Sequence, residues 1–430
     1  MSMNVVVPRW GSTGDVVPTI AVGAELRRRG HRVTFVGNPY FEPLAVEAGL
    51  GFRPVGTLDQ HRRLMDDVDL FDRTKKDAGQ AIADHYAATV EGFYETVSEV
   101  AAGSAVIVGG EIGSAFAAEK FGLPFVAIAC SPGANSLWRS RRDPVHPERI
   151  LPRWAEWLAR TGSGLALLYR LNDAVYGALK ALRRKATAPQ IPDAIFQLRR
   201  RLGLGDALRV RPDFTACMWP EWFAPPQPDW PPETLVAGFP FHPAPVQGSD
   251  QGRAREARPI VVTTGSLAAS QRPFYERAIE ACRSLGREAI LVTPHEDDVP
   301  RPLPPTVTYL PYARFNELFA RASLVIHHGG IGTAAYALAA GIPQVVMPMR
   351  GDQFDNGNRL VRLGVAEFLC PRKTTAHQLA RDASRLLHSR GVSRRCEYWK
   401  SRIDPREGPC RAADCVERLA VRRGMNETIQ

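Results

Sequence analysis

The chain has no uninterrupted apolar run of about 20 residues, the length a helix needs to cross a bilayer. Its start carries no basic segment followed by an apolar core. Met1 runs almost directly into Asn4-Val5-Val6-Val7, so no secretory leader is expected. The cysteines, Cys130, Cys217, Cys282, Cys370, Cys396, Cys410 and Cys415, are odd in number, scattered and without a CxxC pair. That argues against a zinc site or a disulfide framework and for reduced thiols in a cytoplasmic protein. No low-complexity segment or short repeat is found in the 430 residues, a length that accommodates two domains at roughly 100 to 200 residues each.

Acidic residues are the minority, 45 against 55 Lys and Arg, which leaves a net charge of +10 and raises the question of an anionic partner. The basic clusters Arg27-Arg28-Arg29, residues 139–142, Arg183-Arg184-Lys185 and Arg199-Arg200-Arg201 are dispersed, and no nucleic-acid fold signature accompanies them. They read as solvated faces, and nucleic acid is not expected as a partner. Several lie near Trp138, Trp154, Trp157 and Tyr169, which keeps peripheral contact with the inner face of the cell membrane open. The acidic runs Asp66-Asp67-Val68-Asp69 and Glu296-Asp297-Asp298 read as solvated loops, so no metal is expected.

Strand and helix signals alternate from the start. Residues 5–8 form a strand, about 18–29 a helix and 31–36 a second strand, with further strands at 105–108 and 124–129. Residues 135–202 read as a helical insertion. After a polar linker at 243–258 a second series follows at 260–263, 289–292, 307–310, 324–326 and 344–348, and the tail from Ala376 is helical. The rhythm predicts an α/β chain with two Rossmann-like, doubly wound parallel-sheet domains.

Two glycine-rich turns carry chemistry. Gly11-Ser12-Thr13-Gly14-Asp15 follows the first strand, yet it is not GxGxxG, and the second strand runs into Asn38 with no acidic residue for a dinucleotide ribose. A Rossmann dehydrogenase is not expected. His327-His328-Gly329-Gly330-Ile331-Gly332-Thr333 joins a strand to a helix N-terminus, whose unpaired N–H groups and positive dipole end suit a diphosphate; His327 is the side-chain donor expected there. Downstream, Asp352 and Gln353 suit sugar hydroxyls, because a carboxylate accepts two hydroxyl protons and an amide both donates and accepts.

With this pairing the chain resembles the GT-B glycosyltransferases of family 1. Residues 222–231 (WFAPPQPDWP), Gly238-Phe239-Pro240-Phe241 and residues 352–364 (DQFDNGNRLVRLG) look like the bacterial branch that contains the rhamnosyltransferase of rhamnolipid synthesis. The resemblance implies two domains facing across a cleft. Residues 1–242 would bind the acceptor and 259–400 the nucleotide sugar, with a tail at 401–430 returning to the first domain. It also implies Asp15 as general base, since this branch carries Asp where many plant members carry His, with Ser12, Thr13 and Gly14 as the acceptor loop. Gly265, Ser266, His327, Gly329, Gly330, Gly332 and Thr333 would hold the diphosphate. Tyr309, in place of the usual Trp, would stack on the base beside Leu310, and Asp352 and Gln353 would hold the sugar. No cofactor or metal is implied. Ala335 stands where uridine-using members often carry a ribose-binding Glu, which favours a dTDP-sugar. The expected activity is inverting transfer of a sugar, such as L-rhamnose or another deoxysugar, from a dTDP- or UDP-sugar donor. The hydrophobic acceptor is read first as a hydroxy-fatty-acid lipid and alternatively as a polyketide, carotenoid or other small aglycone. A catalytically silent sugar-nucleotide-binding partner is the alternative of another class.

Overall fold

In a computed structural model, the structure describes residues 2–66, 78–101, 105–132, 193–205, 212–227, 230–241, 258–266, 271–349, 351–371 and 373–423. The valine run at the start forms β1 (Asn4–Arg9), and Val5, Val6 and Val7 are all fully buried. That is what a parallel strand covered by helices on both faces requires. Around it lie β2 (Arg32–Gly37), β3 (Gly51–Pro54), β4 (Ala105–Gly109), β5 (Phe125–Ala129), β6 (Phe214–Cys217) and β7 (Thr234–Val236), in the order β3-β2-β1-β4-β5-β6-β7 with every pair parallel. The second sheet comprises β8 (Ile260–Thr263), β9 (Ala289–Val292), β10 (Val307–Leu310), β11 (Leu324–His327), β12 (Gln344–Val346) and β13 (Ala366–Phe368), in the order β10-β9-β8-β11-β12-β13, again parallel throughout. The strand order reverses between β1 and β4 in one sheet and between β8 and β11 in the other. In doubly wound sheets ligands bind outside the carboxyl ends of strands at such a switch.

The helix read at about 18–29 begins earlier, at Thr13, and runs to Arg28. Ser12 caps it, with Asp15 three residues on reaching back to the Ser12 amide, a reciprocal arrangement strong enough to start the helix ahead of Pro18. Of the helical insertion, only the helix Asp193–Leu202 lies within the described residues. The linker apart from Arg258, and the stretch from Trp138 to Arg184 considered for membrane contact, lie outside them. No helix among the described residues is long and apolar enough to cross a membrane.

The domains share an apolar seam. Trp219, Phe223, Ala224, Phe239 and Phe241 from the first half pack with Ile331, Ala334, Leu338, Leu360 and Val365 from the second, and Trp222 stacks on Trp399 with ring centroids 4.7 Å apart. The Trp399 indole N–H donates to the Leu363 carbonyl at 3.1 Å. Beyond it the helix Glu407–Arg422 returns to pack on the helix Thr13–Arg28. The crossing is tight: a Cβ on Gly408 would stand 2.5 Å from the Gly238 carbonyl oxygen, so Gly238-Phe239-Pro240-Phe241 needs glycine opposite it.

In two basic clusters that read as solvated faces, Arg27, Arg28, Arg200 and Arg201 are exposed as expected, but Arg29 and Arg199 are parts of this framework. Arg29 pairs with Glu25 at 2.9 Å, Asp414 at 2.6 Å and Glu417 at 2.8 Å, while the His31 ring meets Glu417 at 2.8 Å. Arg199 is buried, bonded through both terminal nitrogens to Glu119 and lying over the Phe116 ring. Asp298 is also buried rather than solvated, and accepts the Gln271 amide at 2.7 Å. Besides the local Glu25, Arg29 reaches Asp414 and Glu417, Arg199 reaches Glu119 and Asp298 reaches Gln271, partners that local charge patterning cannot show.

Glu25 makes the clasp acid-sensitive. Hydrogen bonding from Arg28, helped by Arg29 and opposed by burial, holds its carboxyl down from 4.5 to about 2. A depressed folded value gives stability that is complete above 4.5 and lost as pH falls towards about 2. Glu25→Gln should therefore melt below wild type at neutral pH, with the two midpoints converging as pH drops through that window. A constant gap would remove Glu25 from the clasp.

Candidate active site

On the first domain the carboxyl ends of β1, β4 and β5 converge on Asp15. Its Oδ2 accepts the Ser12 amide at 3.0 Å and the Ser12 hydroxyl at 2.8 Å. Its Oδ1 lies 3.6 Å from Arg9 Nη2. Ser12 is buried at the N-cap; Thr13 and Gly14 form the first helical turn, with Gly14 exposed. Arg9 is largely buried, 3.9 Å from Glu111, and donates to the Ile128 carbonyl and to Cys130 Sγ at 3.4 Å each. Burial pushes the Cys130 thiol up to about 12, with the carboxylates of Asp15, Asp352 and Glu111 adding to it against Arg9. Cys130 therefore stays a neutral thiol and supplies no nucleophile.

The second domain presents its two glycine turns side by side. His328 lies between them: a Cβ on Gly265 would meet its ring at 2.7 Å and one on Gly330 at 2.5 Å, so glycine at both positions lets the imidazole lie flat against the backbone. Helix Ile331–Ala340 follows. Its first ladder bond runs from the Ala334 amide to the Gly330 carbonyl, which leaves the amides of Ile331, Gly332 and Thr333 ahead of the ladder, with open space over Gly332. The loop after β8 is held from below by Tyr275, whose buried hydroxyl bonds the Thr264 hydroxyl at 2.8 Å and accepts its amide at 3.1 Å. Gly265 donates to Thr263 Oγ1 at 3.0 Å, and Ser266 is half-buried beside it.

His327 departs from its expected role. It is fully buried at the end of β11, where Nδ1 accepts the Gly329 amide at 3.2 Å. The proton therefore sits on Nε2, which donates to Gln344 Oε1 at 3.0 Å. Burial, with His328 alongside, lowers its pKa to about 3. The ring is neutral, and its only N–H is committed inside the domain, so none faces a diphosphate. The histidine set between the glycine turns is the next one, His328.

Asp352 caps helix Gln353–Leu363 and accepts Asn356 Nδ2 at 3.0 Å. Burial pushes its carboxyl above the usual carboxylate range; hydrogen bonding from Ser131 and Asn356 opposes the rise, and the charge of Asp15 adds to it. The two expected site carboxylates thus sit at helix N-termini of opposite domains, Asp15 in the first turn of one helix and Asp352 at the N-cap of the other. The Gln353 side-chain carbonyl accepts the Met349 amide at 2.9 Å. Tyr309 lies on the edge strand β10 beside half-buried Leu310. Its hydroxyl donates to the Thr293 carbonyl at 3.2 Å, and the Arg301 guanidinium lies 5.5 Å over its ring. Ala335 is buried in the seam between the domains.

The profile of the glycosyltransferase family 28 N-terminal domain matches residues 5–134, and that of the erythromycin biosynthesis protein CIII-like C-terminal domain matches residues 276–402. The chain belongs to the GT-B glycosyltransferases. The enzyme is 27% identical over 387 residues to O-mycaminosyltylonolide 6-deoxyallosyltransferase of Streptomyces fradiae, covering 85% of each chain. Its fold is that of the glycosyltransferase of kitacinnamycin, with a TM-score of 0.67, 21% identity and coverage of 97% and 99% of the two chains. It is likewise that of VinC in complex with dTDP, at 0.62, 18%, 99% and 100%. This glycosyltransferase is nucleotide-sugar dependent. Sequence reasoning overlooked four residues that shape its site: Arg9, His328, Tyr275 and Asn356. His328 stood inside the glycine-rich motif, but the others carried no local signal, because each has a partner that only the tertiary fold sets: Cys130 for Arg9, Thr264 for Tyr275 and Ser131 for Asn356.

Proposed function

We propose that this glycosyltransferase moves a 6-deoxysugar from a dTDP donor to a hydroxyl of a small hydrophobic natural-product aglycone, with inversion at the anomeric carbon. The observation that carries the reading is the chain of contacts that joins the Asp15 turn to Asp352: Cys130 Sγ meets the Asp15 carbonyl at 3.6 Å, the adjacent Ser131 hydroxyl donates to Asn356 at 3.3 Å, and Asn356 donates to Asp352 at 3.0 Å. A sugar held by Asp352 therefore lies beside an acceptor hydroxyl held at Asp15. With Oδ2 bonded to Ser12, the Oδ1 of Asp15 takes the hydroxyl proton as the acceptor oxygen attacks the anomeric carbon. The bond to the diphosphate breaks, and its electron pair leaves with the nucleotide. The amides of Ile331, Gly332 and Thr333, with His328, Gly265 and Ser266, receive the developing charge. Neither a metal nor a cofactor takes part in these steps.

The thymidine preference rests on the dTDP carried by VinC; Ala335, buried in the seam between the domains, presents nothing to a ribose and does not bear on it. The natural-product acceptor is placed ahead of the lipid because the relative from Streptomyces fradiae is named for transferring 6-deoxyallose to O-mycaminosyltylonolide. Mass spectrometry of the purified protein with dTDP- and UDP-sugars against aglycones and hydroxy-fatty acids tests both choices. Transfer from dTDP-sugars to a rigid aglycone is expected; a UDP-glucose preference, or efficiency rising with acyl length, would overturn the donor or the acceptor assignment respectively. Asp352→Ala should flatten the preference among donor sugars by about tenfold, the scale of a lost charge-assisted hydrogen bond, as read from the kcat/KM ratio of two dTDP-sugars. An unchanged ratio would place the sugar elsewhere.

A further inference from the structure

The buried amide of Asn356 joins three segments at once. Its Nδ2 donates to Asp352 Oδ2 at 3.0 Å and to the Gly329 carbonyl at 3.0 Å, and its Oδ1 accepts the Ser131 hydroxyl at 3.3 Å. Asn356 is fully buried and Ser131 nearly so. Ser131 lies just past the end of β5, two residues from the last strand residue and next to Cys130, whose Sγ faces the Asp15 carbonyl at 3.6 Å. A single side chain thus ties the donor-side carboxylate, the glycine turn and the acceptor-side wall together. A primary amide is suited to this: it offers two donors to two acceptors on its own domain and turns its carbonyl to the one donor across the cleft.

We infer that Asn356 is a positioning residue that fixes the Asp352 carboxylate for the donor sugar, and that Ser131 makes this setting depend on the placement of the first domain. The inference rests on the assignment of Asp352 to the sugar. Asn356 touches neither the nucleotide nor the reacting atoms; it acts through Asp352. Because the Ser131 hydrogen bond crosses the cleft, the sugar carboxylate takes its set position only when the two domains stand as they do here. Donor recognition and acceptor-side geometry are thereby coupled through one bond.

Calorimetry with dTDP and with dTDP-glucose separates positioning from scaffolding, since only the sugar nucleotide reaches Asp352. Ser131→Ala should leave dTDP affinity within about twofold of wild type and shrink the preference for dTDP-glucose over dTDP by about threefold, the scale of one net hydrogen bond. Ser131→Thr, which keeps the hydroxyl, should restore it. Asn356→Ala should shrink the preference by about tenfold; if it fails to fold, the serine pair still decides. A wild-type preference retained in Ser131→Ala, or an equal loss for both ligands, would overturn the inference. Wild-type protein that does not distinguish dTDP-glucose from dTDP would overturn the assignment of Asp352 instead, a result visible before any variant is made.

Discussion

Asp15→Asn is expected to lower glycosyl transfer by a factor on the order of 100 or more while dTDP affinity stays within about twofold of wild type, the usual scale for a lost general base. The substitution is close to isosteric. Its amide oxygen can still accept the Ser12 N–H, so the reciprocal cap at the start of the first helix survives and the fold is not the variable. What disappears is the proton acceptor at Oδ1, next to Arg9. Loss of the carboxylate also removes the negative charge that raises Asp352, so donor binding should not suffer from the change. Steady-state kinetics beside dTDP calorimetry measures both quantities. Near-normal turnover would remove Asp15 from the chemistry and leave it as a helix-capping residue only.

Adjacent histidines should give opposite phenotypes. His327→Ala opens a cavity at the end of β11 and strands two buried partners, the Gly329 amide and the Gln344 carbonyl, for a loss of about 2–4 kcal/mol in denaturant unfolding of the second domain. His328→Ala removes a ring resting on two glycines at the nucleotide face. It should weaken dTDP by about tenfold or more with a much smaller stability cost, because diphosphate hydrogen bonds are charge-assisted. The reverse pattern, with His327→Ala stable but unable to hold dTDP, would return the diphosphate contact to the first histidine.

The confusion between the two histidines has a physical origin. In a strand with one wet face, alternation tells which residue points outward. In β11 all four residues are buried, since a parallel strand is covered on both sides, and the pattern carries no such information. The same all-apolar runs make the strands themselves easy to read: 260–263, 289–292 and 307–310 agree to the residue, and β1, β4 and β5 to within a residue or two at their ends. Glycine turns are readable because strand, Gly-rich turn and helix follow one another directly. Arg29, Arg199 and Asp298 look solvated in the sequence because their partners, Glu417, Glu119 and Gln271, are fixed only by the tertiary fold. Asn356 is visible as a letter in the DQFDN run, but its role depends on Ser131, far earlier in the chain.

The return of the helix Glu407–Arg422 to the first domain means that halves of the sequence are not halves of the molecule. A hybrid enzyme joined at the linker would bring one parent's final helix against the other parent's first helix. The foreign pairing would have to match Glu25, Arg29 and His31 on one side with Asp414 and Glu417 on the other, and glycine at 238 with glycine at 408. Exchange of donor preference between relatives is therefore better attempted with an inner cassette bounded by the linker and the turn after Trp399, leaving the last helix with the domain it clasps.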